Sequence, residues 1–257
     1  MSLDTYYIVV AAALGLIFGS FATVVAHRVP RGESIVTGRS HCPSCGAQIA
    51  WFENIPVFGY LFLRGKCRHC GARISPRYLF IELACGVLFA ALVWCFGVSL
   101  ETGVYAAFFW TLVVLTAIDL EHKLLPNKIV FPAFIVGWLA LGVTAAVEGD
   151  FSPLVGAAVG AAVFGGFLFI VAFISPAGMG FGDVKLAFVL GTFLGYAGGI
   201  GYTLTGMFLS FMLGGGLGIV LLLRGRGRKT EVPFGPFLAG GTVVAIFAAE
   251  TLLDWYL

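Results

Sequence analysis

The chain has 257 residues, of which 60% are hydrophobic and only 11% charged, and its formal net charge is +2. Soluble domains carry about 25% charged residues, so the composition excludes an ordinary soluble enzyme, and the small net charge excludes a strongly basic nucleic-acid-binding protein. A polytopic membrane protein remains, and the 36 glycines suit one, because small residues let transmembrane helices approach closely.

A membrane-spanning helix needs about 20 apolar residues. The first apolar run, Tyr7 to Ala26, follows Asp4 and precedes Arg28. A cleavable signal has the opposite order of charge, so this run reads as a retained span with its Arg28 end in the cytosol. Residues 28–78 are too polar to span. Further spans are predicted at 79–97, 103–120, 129–147, 154–174, 184–199, 202–223 and 236–256, giving about eight transmembrane helices in an all-α fold. The sixth is the shortest, and Gly-rich 195–201 reads as a tight turn. The expected domains are a first helix (1–27), a cytosolic insert (28–78) and a membrane core (79–257). With eight spans both termini lie outside, and all 15 lysines and arginines fall on the cytosolic side, with Lys185 at its edge. The outer segments keep only acids: Asp4, Glu101, Glu148, Asp150 and Asp254. That asymmetry is the positive-inside pattern.

The insert carries Cys42-Pro-Ser-Cys45 and Cys67-Arg-His-Cys70, each opening a small repeat, 42–49 and 67–74, with five of eight positions identical. Four thiolates in two CxxC pairs match the tetrahedral preference of Zn²⁺, and Gly46 and Gly71 let the chain turn around the sulfurs. Disulfides or a redox CxxC are the alternatives; a cytosolic placement disfavours the first. Four cysteines leave no open position, so the expected zinc is a structural clip that helps fold a short insert with little core. His41 and His69 read as bystanders, and Cys85 and Cys95 as ordinary thiols of the second span.

Two carboxylates stand at the ends of spans, where acids are costly and mark function. Asp119 closes the third span before Leu124-Leu-Pro126-Asn127, and Asp183 opens the sixth within Gly180-Phe-Gly182-Asp183-Val-Lys185. The topology places both near the cytosolic face. Converging there, they would share one proton, the arrangement by which one member activates water and the other protonates a carbonyl or leaving amine. Gly180 and Gly182 would let a substrate backbone approach. The alternative is that each acid caps a helix or pairs with Lys123 or Lys185. Glu121 and Glu82 are weaker candidates, Glu82 as a partner for Arg77. A proton-coupled transporter or secretion-complex subunit would also use intramembrane acids, nearer mid-bilayer.

In order along nearly the whole chain run Phe18-Gly-Ser-Phe21 with Arg28 and Pro30, the paired knuckles, Trp51-Phe-Glu53-Asn54-Ile-Pro-Val57 and Leu63-Arg-Gly-Lys-Cys67. Ile74-Ser-Pro-Arg-Tyr78, Ile118-Asp-Leu120, the GxGD segment and Val232-Pro-Phe-Gly-Pro-Phe237 follow. In these blocks the chain resembles the bacterial prepilin peptidases, membrane aspartyl proteases of type IV pilus assembly and protein secretion. The resemblance implies removal of a short basic leader from a prepilin or pseudopilin at the cytosolic face of the inner membrane, with Asp119 and Asp183 as the catalytic pair. It also implies N-methylation of the new terminus from S-adenosylmethionine, an activity of the N-terminal region to which Glu53 and Asn54 belong. Thr23 stands where the family pattern commonly has asparagine. No separate Gly-rich nucleotide motif is present, so methylation rests on resemblance alone.

Overall fold

The computed structural model describes residues 2–38, 40–175, 179–223 and 232–256. Its helices are α1 (Leu3–Arg28), α2 (Phe58–Phe62), α3 (Arg77–Phe96), α4 (Leu100–His122), α5 (Asn127–Glu148), α6 (Ser152–Ile174), α7 (Phe181–Leu223) and α8 (Gly235–Tyr256). Among the described residues there is no β-strand, only two isolated bridges in the insert. Seven helices, all but α2, are long and apolar enough to cross a membrane.

The eight expected spans appear as seven helices because the sixth and seventh are joined in α7. That helix has 43 residues, about 65 Å at 1.5 Å per residue and twice the hydrocarbon thickness. Its geometry breaks at Gly198 and Gly199, the latter with φ +64°, inside the stretch expected to turn. Each side of the break is one span's worth of helix.

Packing divides the chain into two units, 1–118 and 119–257. In the first, α1 lies against α3 with almost nothing between them. A Cβ on Gly15 would sit 2.5 Å from the Cys85 carbonyl oxygen, and one on Gly19 2.7 Å from the Glu82 Cα. Trp110 of α4 donates its indole N–H to the Phe18 carbonyl (2.8 Å) and stacks on Phe21. Ser152 and Asp150 start α6 in the second unit: the Asp150 carboxylate accepts the Ser152 N–H (2.8 Å). That bond holds the Asp150 carboxyl below its usual range.

The second unit is organised on a seam of glycines. Gly156 and Gly160 of α6 face Gly195 and Gly191 of α7, and a Cβ on any of the four would run into the backbone carbonyl of its opposite. Small residues four apart on both helices give this close backbone contact. It fixes α7 and the acid in its first turn. Outward, α5 presents Ile135, Val136, Leu139, Val143 and Val147 to the surroundings, a continuous apolar stripe that lipid solvates and water does not.

Candidate active site and metal centre

The second unit brings Asp119 and Asp183 to one cavity of about 260 Å³, together with Lys123, Leu125, Asn127, Gly180, Gly182 and Lys185. Asp119 sits in the last turn of α4 and is 5% exposed. Its Oδ2 accepts the Gly235 N–H at 3.0 Å, an amide at the start of α8, where unsatisfied N–H groups and the helix dipole favour a carboxylate. A Cβ on Gly235 would lie 2.6 Å from that oxygen. Only glycine leaves the space. Asp183 enters in the first turn of α7, where its own N–H donates to the Gly180 carbonyl (3.0 Å).

The two motif glycines have different surroundings. Beside Gly180 lies the Asp183 carboxylate, 3.3 Å from where a Cβ would stand, whereas the matching position on Gly182 is filled by Leu125 at 3.1 Å. Leu125 also lies 3.5 Å from the corresponding point on Gly235, so one buried leucine wedges between the starts of α7 and α8. Lys185, weighed above as a partner of Asp183, donates to Asn127 Oδ1 (2.8 Å). Its ammonium lies over the Phe131 and Phe181 rings.

In the first unit the two knuckles fold alike. The Cys42 N–H donates to the Ala47 carbonyl and the Gly46 N–H to Cys42; Cys67, Ala72 and Gly71 repeat the pattern at the same distances, 2.8 and 2.9 Å. Gly46 and Gly71 have φ +70° and +72°, values that glycine adopts without strain. The four sulfurs all lie within 4.8 Å of one another, with Cys42 and Cys70 at 3.9 Å. None of the cysteines is in a disulfide. A tetrahedron with 2.3 Å metal–sulfur bonds separates its sulfurs by about 3.8 Å, so the group fits a metal ion without His41 or His69. The Cys45 and Ser44 N–H groups lower the Cys42 thiol to about 6. Cys70 has an Ala72 N–H that favours its thiolate, yet crowding by Cys45, burial and the other sulfurs push it up to about 11. A dication is what lets all four ionise together.

Glu53 and Asn54 line a second cavity, about 410 Å³, within the first unit, along with Thr23, Tyr60 and Glu82. Glu53 Oε2 accepts the Ala50 N–H (2.8 Å), while Oε1 stands 3.8 Å from the Arg68 guanidinium. Glu82 accepts the Val57 N–H at 2.7 Å. Val57 has φ +64°, rare for a β-branched residue, and the buried carboxylate holds it there. Arg28 organises the neighbouring loop by donating to the carbonyls of Ser34, Thr37 and Gly38.

Residues 106–219 match the model of the type IV leader peptidase family, and residues 13–96 match the bacterial Peptidase A24 N-terminal domain. A prepilin leader peptidase/N-methyltransferase of Stutzerimonas stutzeri is 34% identical, covering 98% of this chain and 94% of that protein. The chain belongs to the type IV leader peptidase family. Family members with the same printed name in Bacillus subtilis strain 168 and Pseudomonas aeruginosa are 34% and 32% identical, over 95% and 98% of this chain and 95% and 93% of theirs. No solved structure matches.

Within this leader peptidase fold, sequence reasoning missed what supports the acids. Gly235 and Leu125 were visible only as parts of family blocks, since a hydrogen bond spanning 116 positions leaves no local spacing. The α6–α7 seam had a signal: two pairs of glycines, each four apart, in neighbouring spans.

Proposed function

We propose that this chain is a membrane-embedded aspartyl endopeptidase that removes the short basic leader from type IV prepilins or pseudopilins. The observation that carries the reading is the meeting of Asp119 and Asp183 in one cavity of a chain from the leader peptidase family. The pair shares one proton, because like charges at close range do not persist together. The ionised member takes a proton from water, whose oxygen attacks the scissile carbonyl. The protonated member gives its proton to the carbonyl oxygen, and collapse of the tetrahedral intermediate returns a proton to the leaving amine. Gly180 leaves room for substrate backbone beside Asp183, and Gly182 holds that turn against Leu125.

The one-sided distribution of lysine and arginine supports a bacterial inner-membrane orientation with the insert and the acids at the cytosolic face and both termini outside. A basic leader, held in the cytosol by its own charge, would reach the acids there. Cys42, Cys45, Cys67 and Cys70 would hold a structural Zn²⁺, which supplies folding free energy to the insert. The relatives' printed names support a second activity, N-methylation of the new terminus, which we place in the N-terminal unit that holds Glu53 and Asn54. S-adenosylmethionine would supply the electrophilic methyl group.

Co-expression with a prepilin, followed by intact mass analysis of the product, tests both activities. Leader loss and addition of one methyl group are expected. A full-length, unmodified product from properly inserted protein would refute the assignment.

A further inference from the structure

Between the two knuckles, residues 51–62 carry their large apolar side chains outward. Gly59 and Tyr60 of α2, with Leu63 just beyond, line the cavity of the first unit. Gly59 packs against the Glu53 carbonyl so closely that a Cβ would strike it, which fixes the inner side of the short helix. Phe58, Leu61 and Phe62 occupy the opposite face, at i, i+3 and i+4, and all three are exposed. Trp51, Phe52 and Ile55 before them are exposed too, Trp51 by 82% and Phe62 by 84%. Single exposed hydrophobic residues are ordinary; a contiguous run of them marks an interaction surface.

The depth of this face follows from the chain's own ties. α3 has 20 residues, about 30 Å, which only just matches the hydrocarbon thickness of a bilayer. Glu82 lies five residues beyond Arg77, where α3 starts, and so about 7.5 Å along its axis. Its Oε2 accepts the Val57 N–H, and Val57 leads directly into α2. The entry to α2 is thus pinned inside the end of a membrane span. Interfacial helices settle about 5–10 Å into the boundary between headgroups and acyl chains, the same depth.

Charge points the same way. Arg64, Lys66 and Arg68 follow the apolar run and are exposed, and the Arg68 guanidinium lies 5.5 Å over the Phe52 ring. Aromatic rings at headgroup level with basic residues beside them suit a surface of anionic lipid.

We propose that residues 51–62 form an interfacial foot, its aromatic face among the acyl chains of the leaflet next to the insert and Arg64 and Lys66 on anionic phospholipid headgroups. Lipid is the occupant because the insert is tied at both ends to spans, α1 and α3, and its outward face stands at leaflet depth. The inference needs only those two spans and is independent of the peptidase reading.

The test uses the full chain, one copy per lipid nanodisc, with phospholipids brominated near the headgroup end of their acyl chains. The emission lost in Trp51→Phe isolates the Trp51 signal from the other tryptophans. Bromine near the headgroups should quench that signal strongly, and bromine near the chain ends should quench it less. Leu61→Gln with Phe62→Gln should weaken the quenching while bound metal, the sign of a folded insert, stays at the wild-type level. Arg64→Gln with Lys66→Gln should weaken it in anionic discs and leave it unchanged in neutral ones. A Trp51 signal that neither brominated lipid quenches would overturn the proposal, as would quenching indifferent to both double variants. Quenching relieved by added prepilin would assign the face to the substrate and overturn lipid as its occupant.

Discussion

The cysteine centre and the aspartate centre are built by opposite means. Each knuckle closes on itself, with its amides bonded to carbonyls no more than nine residues away, and a metal ion would join the two halves. The aspartate centre has no such local closure. Asp119 ends one helix, Asp183 starts another, and a third helix supplies the amide that holds Asp119. The first kind of site is a property of short peptides that a metal clamps. The second is a property of how membrane helices stack, and it fails wherever that stacking fails.

That contrast can be broken or sharpened by mutation. Asp119→Asn or Asp183→Asn should lower leader cleavage by roughly 10³-fold or more, the scale of losing an acid–base partner, with insertion and metal content intact. Efficient cleavage by either variant would end the two-acid mechanism. Gly235→Ala comes next: the new methyl meets Asp119 Oδ2, and a small misplacement of a catalytic group costs about 10²-fold. The loss should appear in kcat more than KM, and an unchanged kcat would show that the α8 amide does not position the acid. Lys185→Met removes the bond to Asn127 and the contacts with two rings, for about a threefold loss. Cys42→Ser should strip the metal, measured by elemental analysis of purified protein, yet leave cleavage by intact protein within about twofold, as for sites sharing no partner. A cleavage defect as deep as that of Asp119→Asn would merge the two centres into one.

The helices were legible because hydrophobicity and length speak for themselves in a membrane chain. The span expected at 129–147 is α5, Asn127–Glu148, and the turn expected in 195–201 is the break at Gly198 and Gly199. The Cys₄ group was equally legible, since its geometry follows from spacing. Asp119 and Asp183 stood out as acids in apolar surroundings, but their supports did not. Gly182 lines the cavity, and nothing in the local sequence says that Leu125 lies where its Cβ would stand. Glu82 reads as a partner for Arg77 because they are near in sequence; that it also takes the amide of Val57, 25 positions earlier, has no local signal. The transporter alternative finds no support in the relatives reported above, whose printed names are those of leader peptidases.

The bond from Gly235 to Asp119 is made by the main chain, and this gives the site an uneven tolerance to genetic change. No substitution except proline deletes an amide hydrogen, so the donor itself is almost immune to point mutation. The vulnerability is transferred to volume: every residue other than glycine brings a carbon into the 2.6 Å gap beside the carboxylate. In a library of random variants this position should therefore respond as a switch rather than a gradient. The large and the small replacements should fail together, while a side-chain donor in the same place would have degraded by steps.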